Sequence, residues 1–186
     1  MKDRNTLSRT MHDLGLATWL GGSLMGAVGL NAAAAEASEP TDRLRVANAG
    51  WARWTPVNAA GIAAYVLGGI VLTGANKGRL TAQRGVGRAV LAKNVLTLVT
   101  IAATGYSRIL GQRLMEVGKV PVQDGTTPTP ETPAEVSRIQ RQLKVLQYAI
   151  SVHVAGLVAL TALMGEQQRP RQVLGGVVRR FLPGTG

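Results

Sequence analysis

Apolar residues gather in four stretches, 14–35, 55–76, 89–107 and 145–165, with polar segments between them. The first, second and fourth hold no Asp, Glu, Lys or Arg, and the third holds only Lys93. Each is close to the length of about 20 residues that a helix rising 1.5 Å per residue needs to cross about 30 Å of hydrocarbon. A water-soluble helix of that length would carry a polar stripe at the helical period, and none recurs within the four stretches. The pattern predicts an all-α protein, an integral membrane four-helix bundle over residues 1–165.

The borders sharpen this expectation. Trp51 and Trp54 precede the second span, where indole rings favour the membrane interface, and Pro56 is expected in its first turn. The loop 118–132, with Pro121, Pro128 and Pro130 among Thr and Gly, is expected to be mobile on the outer side. Thr132-Pro133-Ala134-Glu135 has the form of a capping box, so the fourth helix should begin near Pro133, well outside the membrane. On that projecting part Val136, Ile139, Leu143 and Leu146 form an apolar stripe. A continuation of the third helix through Ile109, Leu110, Leu114 and Met115 is the expected partner, and docking of another protein the alternative. Residues 166–186 repeat a helical pattern of Val, Leu and Phe with Arg171, Arg179 and Arg180 among them. Such a basic amphipathic tail lies in the headgroup plane and contacts the membrane surface.

Charge adds a direction. The formal net charge is +11. The N-terminal segment, the 77–88 loop and the tail hold 11 bases against Asp3, Asp13 and Glu166, whereas the other two loops hold 9 bases against 7 acids. Cytoplasmic loops carry the Lys/Arg excess, so both termini and the tail are expected in the cytoplasm, facing an anionic inner leaflet. A nucleic-acid partner would need a folded basic face, and none is visible. The first apolar run is also longer than the 7–15 residues of a secretory signal core. Sixteen Arg against five Lys, with abundant Ala, Gly and Val, is the composition of a GC-rich bacterium such as an actinobacterium. The expected location is therefore a bacterial inner (cytoplasmic) membrane, crossed several times.

Within the spans, small residues point to close helix packing. Gly22 and Gly26 form a GxxxG in the first, and Ala60, Ala64 and Gly68 repeat the idea in the second. Packing inside one subunit is the simpler use of them, and dimerisation the other. Polar residues near the membrane are the usual marks of function. His12 and Asp13 stand at the inner surface, Lys93 about one turn inside the third span, with Asn58 and Asn94 near span ends. His153 is the deep titratable side chain, with Ser151, Tyr65 or Thr104 as expected hydrogen-bond partners. His12 and His153 should differ by about 18 Å along the membrane normal, too far to ligate one haem iron. No Cys is present, and no nucleophile–base group or phosphate-cradling loop can be assembled, so neither a metal, a cofactor nor an enzymatic activity is expected.

His12 followed after six residues by Trp19-Leu20-Gly21-Gly22 resembles the H-x6-W-x-G-G start of the first helix in the copper-export (CopD-like) membrane superfamily and related four-span bacterial proteins. The resemblance covers about a dozen residues and implies a multi-pass membrane fold and copper handling. Taken together, the residues point to a non-catalytic structural or accessory subunit of a membrane assembly, as a homo-oligomer or beside another membrane protein. The alternatives are small-molecule, quinone or metal handling in a pocket near His153, or a small transporter.

Overall fold

A computed structural model describes residues 5–75 and 86–166. Helix α1 (Thr6–Met25) runs on through a π-helical segment Gly26–Leu30, a single turn Asn31–Ala33 and a 3₁₀ turn Ala34–Glu36. It is followed by α2 (Arg43–Ala75), α3 (Val86–Glu116) and α4 (Ala134–Glu166). Among the described residues the only β pairing is an isolated bridge between Val122 and Pro128. The protein is all-helical, and α2, α3 and α4 are each long and apolar enough to cross a membrane. The first apolar stretch differs. It is divided among three helix types, and the first two turns of α1 carry Ser8, Arg9, Thr10, His12 and Asp13, so no single α-helix carries the whole run.

The helices pack side by side, α1 along α2, α3 along α4, and α1 against α4, leaving a sparse seam between α2 and α3. Glycines set the α1–α2 approach. A Cβ on Gly15 would overlap the carbonyl of Gly61 and the backbone of Tyr65, and one on Gly68 would stand 2.7 Å from the His12 nitrogen. Gly22 and Gly26 serve the same contact differently: Trp54 lies over the first and Trp51 over the second, leaving no room for a side chain at either. The GxxxG thus packs within the subunit. On α2, Gly61 and Gly68 make the approach, while Ala60 is exposed.

One border expectation changes because α2 begins at Arg43, well before the apolar stretch. Pro56 is therefore inside a helix, not in its first turn. Trp51 and Trp54 are residues of α2 that lie over Gly26 and Gly22, and Trp51 Nε1 donates to Asn31 Oδ1 at 2.9 Å. With α3 running on to Glu116 and α4 starting at Ala134, the helices extend beyond their apolar stretches at one end, here the loop end. Leu110 and Leu114 of α3 meet Val136, Ile139 and Leu143 of α4 there, joined by Leu44 of α2 and by Val120 and Val122. The apolar stripe of α4 is covered by its own chain, although Ile109 and Met115 face outward.

The loop expected to be mobile is folded into this cluster. Val122 is 0% exposed. Asp124 Oδ1 accepts from the backbone N–H groups of Thr126 (2.7 Å) and Thr127 (2.8 Å), an Asx-type turn. Gly125 N–H donates to the Asn31 carbonyl at 3.1 Å, and Arg43 reaches the carbonyls of Val122 and Gln123. Composition alone missed these long-range bonds. The capping box does not form either: the Thr132 hydroxyl donates to the Pro121 carbonyl at 2.6 Å, securing the loop instead of the helix start. The tail with Arg171, Arg179 and Arg180 lies outside the described residues, as do Lys77, Arg79 and Arg84.

Candidate functional site

Three of the polar residues singled out from the sequence, His12, Tyr65 and Lys93, converge at the opposite end. His12 comes from α1, Tyr65 from α2 and Lys93 from α3. His12 is 1% exposed because Gly68 lets α2 come close against it. Its Nδ1 lies 2.9 Å from Asp13 Oδ1, and its Nε2 lies 2.7 Å from Lys93 Nζ. A neutral imidazole with its proton on Nδ1 satisfies both: it donates to the Asp13 carboxylate and accepts from the Lys93 ammonium. The result is an ion pair bridged by a histidine. The Lys93 ammonium is thus turned toward α1 and α2.

The rest of the cluster is aromatic and hydroxylic. Lys93 Nζ is 5.4 Å from the centre of the Tyr65 ring, within cation–π range, and the His12 and Tyr65 rings are 4.8 Å apart. The Tyr65 hydroxyl shares a 2.9 Å hydrogen bond with Thr97 Oγ1. Trp19 is fully buried beside Tyr65, with ring centres 6.1 Å apart. His12 precedes the first apolar stretch. Burial pushes its pKa below the ordinary value and Lys93 adds to that, while the hydrogen bond to Asp13 opposes it. Asp13 is 57% exposed, so the chain of polar groups runs from solvent to the interior.

Lys93 also faces the sparse α2–α3 seam. There a cavity of about 250 Å³ is lined by Tyr65, Thr73, Lys93, Asn94, Thr97 and Met164 among others. Both helices contribute polar groups, Tyr65 and Thr73 from α2 and Lys93, Asn94 and Thr97 from α3, and Val66, Ile70 and Val90 supply apolar surface. A cavity with apolar walls and a few convergent polar groups is the usual form of a small-molecule site.

His153 does not join this cluster. Its expected partners are engaged elsewhere: Ser151 Oγ donates to the Gln147 carbonyl, Thr104 to the Thr100 carbonyl, and Tyr65 pairs with Thr97. Its Nδ1 is buried without a partner among the described residues, and His153 lines neither the seam cavity nor the one at the loop end. No group of three or more His, Asp or Glu among the described residues stands close enough to hold a metal ion. Both ring nitrogens of His12 are already taken, and Met25 points outward, so these side chains do not compose a copper site.

Sequence reasoning missed a second polar centre, at the loop end. Asn31 Nδ2 donates to Gln147 Oε1 at 2.6 Å, and Asn31 Oδ1 accepts from Trp51. Neutral amides inside two apolar stretches were the signal for it. The π-helical segment just before Asn31 is a further mark, since such bulges recur at functional positions. No protein-family model, curated protein or solved structure matches the chain, so its function has to be argued from these residues.

Proposed function

We propose that this chain is a non-catalytic, multi-pass membrane protein that binds a lipid-soluble molecule by its polar head in the seam between α2 and α3. The observation that carries the proposal is Lys93, held inside the seam by His12 with Tyr65, Asn94 and Thr97 beside it. An ammonium, an amide and hydroxyls present donors, so the fitting head is rich in acceptor oxygens, as in a quinone or an anionic phospholipid. The sparse α2–α3 packing gives such a molecule a lateral way in from the bilayer. A four-helix bundle in a bacterial inner membrane, with both termini in the cytoplasm, would place Lys93 in the inner leaflet, in keeping with the distribution of Arg and Lys.

An accessory role beside another membrane protein has a different surface available from those expected. The α4 stripe and the Gly22/Gly26 face are both covered by the chain's own side chains. Helix α3 exposes Leu91, Val95 and Leu98, a face that a second copy or a partner helix could share with lipid.

Gentle-detergent purification from native membranes, followed by native mass spectrometry, tests the proposal. One bound amphiphile per chain, lost in Lys93→Met at unchanged fold, is the expected result. Absence of a bound molecule, or its retention in Lys93→Met, would overturn it. A stoichiometric protein partner would move the assignment to the accessory role.

A further inference from the structure

At the loop end, a partly open cavity of about 90 Å³ lies among α1, α2, α3 and α4. We propose that this cavity binds a small organic carboxylate, with Arg108 as its counter-charge. Arg108 lines the cavity, yet its guanidinium makes no hydrogen bond or ion pair with any described residue, and no Asp or Glu is among the lining residues. A guanidinium fork facing a cavity without a counter-ion matches the two oxygens of a carboxylate.

Two residues lining the same cavity also carry a buried atom without a partner among the described residues, Trp54 Nε1 and Asn58 Oδ1. Buried polar groups are normally paired, and an unpaired one calls for an explanation. The Trp54 indole N–H supplies a second donor toward an oxyanion. The Asn58 amide supplies a third once its oxygen and nitrogen exchange places, an orientation set by the partner present. Leu143 and Ile150 of α4 add apolar surface to the lining. At about 90 Å³ the cavity has room for a short aliphatic body behind the charged head. An inorganic anion would leave the apolar surface without a partner.

The walls are set before any ligand arrives. Asn31 ties α1 to Trp51 of α2 and to Gln147 of α4, and its carbonyl anchors Gly125 of the loop. A site held in this way loses little freedom on binding. It is separate from the α2–α3 seam and does not depend on what occupies that seam.

The test uses the purified full chain in detergent, titrated with sodium butyrate, sodium phosphate or sodium chloride at matched ionic strength. Tryptophan fluorescence reads the site, because two of the three Trp residues line it. A saturable change with butyrate, absent with chloride and weaker with phosphate, is the expected result. Arg108→Gln should weaken butyrate binding at least about tenfold without moving the ligand-free melting temperature. Should that variant fail to fold, Trp54→Phe keeps the ring over Gly22, removes the N–H and should weaken binding several-fold. The proposal is overturned if wild-type protein gives no saturable response to butyrate, if phosphate binds as well or better, or if the folded variant binds equally.

Discussion

Lys93 and His12 stand 81 positions apart in the chain and meet at 2.7 Å, ammonium nitrogen to imidazole Nε2. Asp13 holds the other ring nitrogen at 2.9 Å. Neither charged group needs a direct partner, because the neutral ring passes the hydrogen bond from one to the other. A buried amine without such a partner would be costly, which explains how one Lys is tolerated in an otherwise uncharged set of apolar stretches.

A pH dependence of stability follows. Burial lowers the His12 pKa from its ordinary 6.5, so the unfolded chain takes up a proton at a higher pH than the folded one. Stability from this group is complete above the unfolded value and is lost as pH falls through the lower folded value. Asp13 on one side and Lys93 and Arg9 on the other are the charges that act on the ring. The melting temperature should hold steady above about pH 7 and fall below about pH 6. In His12→Gln that part of the decline should vanish; a decline of the same size would place its origin elsewhere.

Gly22 and Gly21 are neighbours with opposite surroundings. A Cβ on Gly22 would enter the Trp54 indole, whereas one on Gly21 meets nothing within 4 Å. Gly22→Val should destabilise the protein by about 1–3 kcal/mol, the usual cost of overpacking. Gly21→Ala should be neutral or slightly stabilising, since Ala is the better helix former. Thermal unfolding in detergent separates the two, and equal effects would mean that α1 and α2 do not pack through this face.

Asn31 serves two side chains, and truncating it strands both. Asn31→Leu leaves Trp51 Nε1 and Gln147 Oε1 without the partners they have now. Each buried group left unsatisfied costs about 1–3 kcal/mol. Gln147→Leu alone strands one amide group of Asn31. The double variant should therefore lose less than the sum of the singles, and a double-mutant cycle measures the difference. Simple additivity would show that the pair is not coupled.

Asp124 holds the 118–132 loop in its turn through the N–H groups of Thr126 and Thr127. Asp124→Ala should speed limited proteolysis inside this loop, because cleavage follows the population of the locally open form. Global melting should move much less. A wild-type loop cut as readily as the variant would argue that the turn contributes nothing to its order.

Helix content and three of the four expected apolar helices could be read along the chain, because each depends on local composition and on a repeat within one segment. The start of α4 near Pro133 and the pairing of its stripe with Leu110 and Leu114 were also legible, since an apolar face outside lipid must be covered. His12, Tyr65 and Lys93 could be named one by one as polar residues in or beside apolar stretches. Their meeting could not, since it requires knowing that Gly68 brings α2 against His12 and that Lys93 turns inward. The same limit hid the role of Asn31, the position of Trp51 and Trp54 over glycines, and the packed loop. Hydrophobic pattern determines which segments become helices and which face is greasy; it carries no record of rotation about the helix axis or of contacts between distant residues. Those depend on where small side chains let backbones approach, and only the tertiary structure decided that.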